Sequence, residues 1–173
     1  MPEVIIIAGP NGAGKTTFAS EYLPAERKRF AFVNADEIAR EVVPQGLPPR
    51  QADIRAARIM LERIDDLVDA NADFMFETTL ATLTYARKIP LWRQSRYVVS
   101  LIYLRLPSVE ASIDRVRRRV EAGGHDIPEP TIRRRFDKSI VRLESIYKSI
   151  VDRWYIWDSL EGDFALVESW DQT

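Results

Sequence analysis

Gly9, Pro10, Asn11, Gly12, Ala13, Gly14, Lys15 and Thr16 follow the spacing G-x-x-x-x-G-K-[ST]. Glycines at these positions let the backbone take positive φ and come close to a ligand. Successive N–H groups can then face inward, at the N-terminus of a helix, and form a nest for anions. Such a loop suits the phosphates of ATP or GTP. Lys15 is expected to neutralise β- and γ-phosphate oxygens, and Thr16 to hold Mg²⁺ through its hydroxyl. Thr17 is a second hydroxyl near the α-phosphate. The competing explanation is a chance glycine turn before an amphipathic helix. The residues ahead of the loop argue against it, because Val4-Ile5-Ile6-Ile7-Ala8 is a continuous β-branched apolar run. That pattern marks a strand buried on both faces of a parallel sheet, so strand, turn and helix coincide with the motif.

A loop of this kind needs a sheet to carry it. Further strands are expected at Phe30–Val33, Asp73–Phe76 (ending at Glu77), Tyr97–Leu104 and Trp154–Trp157, with a short sixth at Phe164–Glu168. Helices are expected over Lys15–Tyr22, Ile38–Val43, Gln51–Ala70 and Leu83–Trp92. Two more should run from Pro107 to the Gly123-Gly124 break, and from Pro128 or Glu129 to about Val151. Ala57, Leu61, Ile64 and Leu67 or Val68 should face inward on the first long helix. Val109, Ile113, Val116 and Val120 should do so on the next, and Ile132, Phe136, Ile140, Leu143, Ile146 and Ile150 on the last. The fold class is α/β: a doubly wound parallel sheet of about five strands with helices on both faces, like a nucleoside monophosphate kinase. The whole of 1–173 is expected to form one P-loop kinase domain.

In such a sheet, ligands bind at the carboxyl ends of the strands. The polar residues there are Asn34 and Asp36 after the second strand, and Glu77, Thr78 and Thr79 after the third. A kinase needs a base beside the acceptor hydroxyl. Asp36 is the candidate base, although it could equally cap the helix that follows. Glu77 could orient the acceptor or the waters on Mg²⁺, and Thr79 could hydrogen-bond the acceptor. For Thr78 and Thr79 the structural alternative is strand-end hydrogen bonding. The Ser-Gly-Gly-Gln signature of ABC transporter ATPases and the Asn-Lys-x-Asp guanine reader of small GTPases are both missing.

The stretches 6–17, 32–36 (Phe-Val-Asn-Ala-Asp), 76–80 (Phe-Glu-Thr-Thr-Leu), 123–128 (Gly-Gly-His-Asp-Ile-Pro) and 132–135 (Ile-Arg-Arg-Arg) carry a specific resemblance. The chain resembles the zeta-toxin family of P-loop kinases, in its short zeta-like branch, over nearly its whole length. The resemblance implies phosphorylation of the sugar 3′-hydroxyl of UDP-N-acetylglucosamine by ATP or GTP, and an antitoxin partner that blocks the nucleotide site. It implies that Lys15 and Thr16 serve nucleotide and Mg²⁺, that Asp36 is the base, and that Glu77 and Thr79 contact the acceptor. The family often carries an Arg a few residues after the Glu-x-Thr set; here Ala81-Thr82-Leu83 stands there instead.

Arginines crowd the segment 115–135: Arg115, Arg117, Arg118, Arg119, then Arg133, Arg134 and Arg135. With Ile113, Val116 and Val120 inward, Arg118 points out, while Arg117 and Arg119 flank the buried face at ~80°. Arg134 likewise points out, and Arg133 and Arg135 flank. Either this is a lid whose guanidiniums clamp γ-phosphate charge, or a solvated surface paired with Glu110, Asp114, Glu121 and Asp137. The family resemblance favours Arg119, followed by His125 and Arg133.

Composition limits the remaining choices. The chain has 173 residues, no cysteine and a formal net charge of −1. Disulfides and Cys-based metal sites are therefore excluded, and no global field favours nucleic acid. No apolar run approaches the ~20 residues of a membrane span, and Val4–Ala8 after Glu3 is too short for a signal peptide. A cytoplasmic protein is expected. Kinases for another acceptor, such as a nucleoside or a drug, and a nucleotide-binding module that mainly engages a protein partner, remain open alternatives.

Overall fold

The computed structural model describes residues 1–42 and 44–172. The expected helix end at Val43 lies outside the described residues. The chain runs β1 (Glu3–Ala8), α1 (Lys15–Tyr22), α2 (Pro24–Arg29), β2 (Ala31–Val33), α3 (Ala35–Val42), α4 (Pro49–Asp69), β3 (Phe74–Thr78), α5 (Thr84–Gln94) and β4 (Val98–Arg105). It continues with α6 (Val109–Glu121), α7 (Glu129–Arg142), a π-helical turn (Leu143–Tyr147), α8 (Lys148–Ile150), β5 (Arg153–Leu160) and β6 (Asp163–Asp171).

The strands form one sheet in the order β2-β3-β1-β4-β5-β6. The first five are mutually parallel, as expected. The sixth is antiparallel to β5 and longer than expected, so the sheet is mixed. Its reversal is local: the Glu161-Gly162 pair closes a tight hairpin, with Gly162 at φ +77°.

Alternation along β1 builds a core on each face. Val4, Ile6 and Ala8 enter a cluster with Met60 and Ile64 of α4, Ile89 and Trp92 of α5, and Tyr147. Ile5 and Ile7 enter the other, with Phe18 and Ala19 of α1. The same alternation in β3 sends Phe74 and Phe76 to the first cluster and Met75 to the second. Glu77 therefore falls on the α1 side of the sheet.

Several details depart from the sequence reading. α6 starts one residue after Ser108 rather than at Pro107, because the Ser108 hydroxyl accepts the Ala111 N–H at 3.1 Å and caps the helix. On α4, Ala56 and Met60 are buried while Ala57 is exposed. On α7, Ser139 is buried and Ile140 is 39 % exposed. The reason is polar: Ser139 Oγ and the Tyr103 hydroxyl bond to each other at 2.8 Å inside the fold. α2 is an addition to the expected elements and buries no residue. α7 contributes Phe136 to the α1-side cluster, and the π-helical turn after it contributes Leu143 and Tyr147 to the other, so this segment crosses over the carboxyl ends of the strands.

Candidate functional site

The phosphate loop leaves β1 at Ala8, and the Gly9 N–H donates to the Thr78 carbonyl at 3.2 Å. This bond ties the loop to the end of β3. Gly12 and Gly14 sit at φ +82° and +84°, in the left-handed region. A Cβ on Gly12 would lie 2.9 Å from the Arg115 Cβ, so space as well as conformation requires glycine there. Gly14 is the N-cap of α1, and Thr16 and Thr17 are exposed in its first turn.

Lys15 arches back over the loop, and its Nζ donates to the carbonyls of Gly9 (3.0 Å) and Pro10 (3.1 Å). Burial pushes its ammonium down to about 8; Glu77 and Asp36 oppose that shift, while Arg119 and Arg135 add to it. These four side chains thus lie within electrostatic range of the Lys15 ammonium. Glu77, on the α1 side of β3, accepts the Thr16 hydroxyl on Oε1 at 2.8 Å. Burial raises its carboxyl above the usual range, against the pull of Lys15 and hydrogen bonds from Thr16 and the Asn34 side chain. Two hard oxygen donors, Thr16 Oγ1 and Glu77, therefore stand together beside the loop, a donor set that fits Mg²⁺.

Asn34 has a structural part. Its Oδ1 accepts the N–H groups of Asp36 (2.8 Å) and Glu37 (3.2 Å), so Asn34 caps α3 and Asp36 does not. Asn34 is also buried, 6 % exposed. The Asp36 side chain is left exposed at the mouth of the site. Thr78 and Thr79 both make strand-end turns, their hydroxyl oxygens accepting the N–H groups of Leu80 (3.1 Å) and Ala81 (3.4 Å). Each hydroxyl can still donate its own hydrogen.

The arginines divide. Arg119 lies within electrostatic reach of Lys15, and its guanidinium donates to the His125 carbonyl at 3.2 Å. His125 thus meets Arg119 through its backbone, and its side chain is exposed. Arg133 is exposed and paired with acidic side chains. It is held by Glu129 (2.9 and 3.1 Å) and by Glu110 of α6 (3.1 Å). The inward arginine of α7 is Arg135, whose guanidinium is pushed down by burial and drawn back up by Asp53 and Asp36. Arg118 faces out as expected, pairing with Asp114 and, at 2.7 Å, with Glu161 of the β5–β6 hairpin. Two residues after Arg133, Arg135 flanks the same stripe, and nothing in the spacing distinguishes the two.

Further residues join the site through tertiary contact alone. From the end of α7, Arg142 donates to the Ala81 carbonyl, and the Tyr147 hydroxyl donates to the Thr82 carbonyl at 3.0 Å. In a π-helical turn residues five apart share a face, which lets both side chains reach the loop after Thr79. Beside the phosphate loop a cavity of about 610 Å³ opens between α6 and the β5–β6 hairpin, lined by Arg105, Leu106, Arg115, Arg118, Asp158 and Ser159 among others. Among the described residues no helix is long and apolar enough to cross a membrane.

A family model described as an AAA domain matches residues 4–143. A protein of Haemophilus influenzae is 29 % identical over 134 residues, covering 78 % of this chain and 92 % of its own length. Among solved structures, one from the PezAT chromosomal toxin–antitoxin system of Streptococcus pneumoniae superposes with a TM-score of 0.69 at 20 % identity, covering 98 % of this chain and 72 % of that one. The AvrRxo1-ORF1:-ORF2 complex with ATP gives 0.78 at 16 % identity, over 99 % of this chain and 59 % of that one. The Pnkp1/Rnl/Hen1 RNA repair complex gives 0.67 at 21 % identity, over 84 % and 46 %. At these identities the likeness is one of fold, and it agrees with the resemblance drawn from the sequence motifs.

Proposed function

This chain belongs to the AAA domain family, and we propose that it is a kinase transferring the γ-phosphoryl group of ATP or GTP to a small-molecule hydroxyl. The observation that carries the reading is Lys15 and the Thr16–Glu77 pair held on the phosphate loop, with Asp36 in electrostatic range of Lys15 and its carboxylate released from capping by Asn34. Asp36 takes the proton of the acceptor hydroxyl as its oxygen bonds to the γ-phosphorus. The bond from that phosphorus to the bridging oxygen breaks, and the nucleoside diphosphate leaves. Lys15, Arg119 and Arg135 face the charge on the transferring group. Thr16 would hold Mg²⁺, with Glu77 beside it, and the ion would supply charge neutralisation at the phosphates. Glu77 is thereby assigned to the metal side, and acceptor contact falls to Thr79.

The nucleoside half of the donor is assigned to the cavity between α6 and the β5–β6 hairpin, which adjoins the loop. Residues 1–173 act as one P-loop kinase domain, with 115–135 as its lid. The acceptor we propose is a nucleotide sugar such as UDP-N-acetylglucosamine, on the strength of the zeta-toxin motifs. The fold likeness to a toxin–antitoxin system supports an antitoxin as partner. Dependence on ATP is consistent with a cytoplasmic location.

The test is mass spectrometry of a metabolite extract and of purified UDP-N-acetylglucosamine, each incubated with the protein and MgATP. A new monophosphate is expected with the wild type and not with Asp36→Ala, which should still bind ATP. A monophosphate on a nucleoside or drug instead would move the acceptor assignment. No phosphorylated product in any pool would refute the kinase and leave a nucleotide-binding module.

A further inference from the structure

An anion nest works only if its carbonyls are held away from the ligand, and each buried carbonyl needs a donor. In this loop the carbonyls of Gly9 and Pro10 are taken by Lys15 from within. Those of Asn11, Gly12 and Ala13 are taken from outside. The Ser112 hydroxyl donates to Asn11 O, an Arg115 Nη1–H to Gly12 O at 3.4 Å, and the Ser159 hydroxyl to Ala13 O at 2.7 Å. Arg115 then links the set, because Nη1 also donates to Ser159 Oγ at 2.7 Å and Nη2 to Ser159 O at 2.9 Å. Ser112 is 0 % exposed and Ser159 3 %. Both hydroxyls are thus desolvated and committed to the loop. Gly12 rests directly on α6 at the Arg115 Cβ and the Ser112 carbonyl.

We propose that Arg115, seated between Ser112 and Ser159, is a positioning residue that sets the phosphate loop from behind. It fixes the carbonyls of 11–13 outward and so keeps the amides turned toward a polyphosphate. The proposal rests on reading 9–16 as a phosphate loop. It adds a determinant of affinity on the far side of the loop, outside the G-x-x-x-x-G-K-T residues.

The experiment is titration calorimetry of the full chain with magnesium tripolyphosphate, which engages the loop without the nucleoside pocket, and with MgATP alongside. Arg115→Ala is expected to weaken tripolyphosphate binding by at least about tenfold, and Ser112→Ala and Ser159→Ala by about threefold each. Lys28→Ala, exposed on α2 away from the loop, should match the wild type. Millimolar guanidinium should restore part of the affinity of Arg115→Ala, which a purely structural role would not allow. Tripolyphosphate affinity within about twofold of wild type in a folded Arg115→Ala overturns the proposal. If that variant does not fold, Ser159→Ala decides by the same criterion. A wild type that binds no tripolyphosphate defeats the phosphate-loop reading itself, and this proposal with it.

Discussion

Replacing Lys15 by Met should stabilise the nucleotide-free protein at neutral pH while abolishing its use for nucleotide. Burial holds the Lys15 ammonium at about 8 against an ordinary value of 10.5. That drop corresponds to a cost of about 3 kcal/mol for the charged form at pH 7. It is an upper bound, since part of the side chain still touches water. Methionine removes the cost but also the two donations from Nζ to the loop carbonyls, worth about 1 kcal/mol each. The variant should therefore be more stable than wild type by about 1 kcal/mol at pH 7. The sign of the pH dependence follows from proton counts. Between pH 8 and 10.5 the unfolded chain still holds the lysine proton that the folded chain has released, so wild-type stability rises with pH through that window. By pH 9.5 about 2 kcal/mol of the cost is relieved, and the order of the two proteins should invert. Urea unfolding of both proteins at 25 °C from pH 7 to 9.5 measures the difference, in which the other titrating groups cancel. A difference flat to within about 0.5 kcal/mol over that range would refute the placement of a desolvated ammonium on the loop.

Three further outcomes are expected. Arg135→Ala should lower turnover by about 100-fold or more, while Arg133→Ala should stay within about threefold of wild type, measured as phosphoryl transfer once the acceptor is in hand. Gly12→Ala should lose nucleotide binding and about 2 kcal/mol or more of stability in chemical denaturation, from left-handed strain plus a 2.9 Å approach to α6. Glu77→Gln should raise the urea midpoint of the nucleotide-free protein at pH 7 and leave it unchanged below pH 4. The reason is that a carboxyl held above its usual range penalises the fold only once it ionises.

What could be read in advance was what depends on near neighbours in the chain. β1, the loop and α1 share one contiguous signal, and the helix expected at Lys15–Tyr22 has those bounds in the structure. Strand alternation through Phe74-Met75-Phe76 also fixes the face of Glu77, although the residues on both faces are apolar and hide the period. α2 (Pro24–Arg29) buries no residue, so it has no stripe to detect. Arg133 and Arg135 flank one helix stripe symmetrically; Glu110 of another helix captures the former and Asp36 and Asp53 draw the latter. The hydrophobic pattern selects Ile140 over Ser139 because it cannot anticipate a tyrosine hydroxyl, brought in by β4, that needs a buried partner. Asn34 is visible as a good cap by residue type, but so is Asp36 two positions on, so the sequence leaves capping open as the alternative to the base for Asp36.

The widened turn at Leu143–Tyr147 makes the chain length of that segment part of the site. Adding one more residue there, beyond the one the widened turn already absorbs, would swing everything after it by about 100°. Tyr147 would leave the Thr82 carbonyl, and the support behind Thr79 would go slack without any change to a group that meets a ligand. The loop at 44–48, outside regular structure, should absorb the same insertion with little effect. Relatives that keep this geometry should therefore vary in length at the second place and hold it constant at the first.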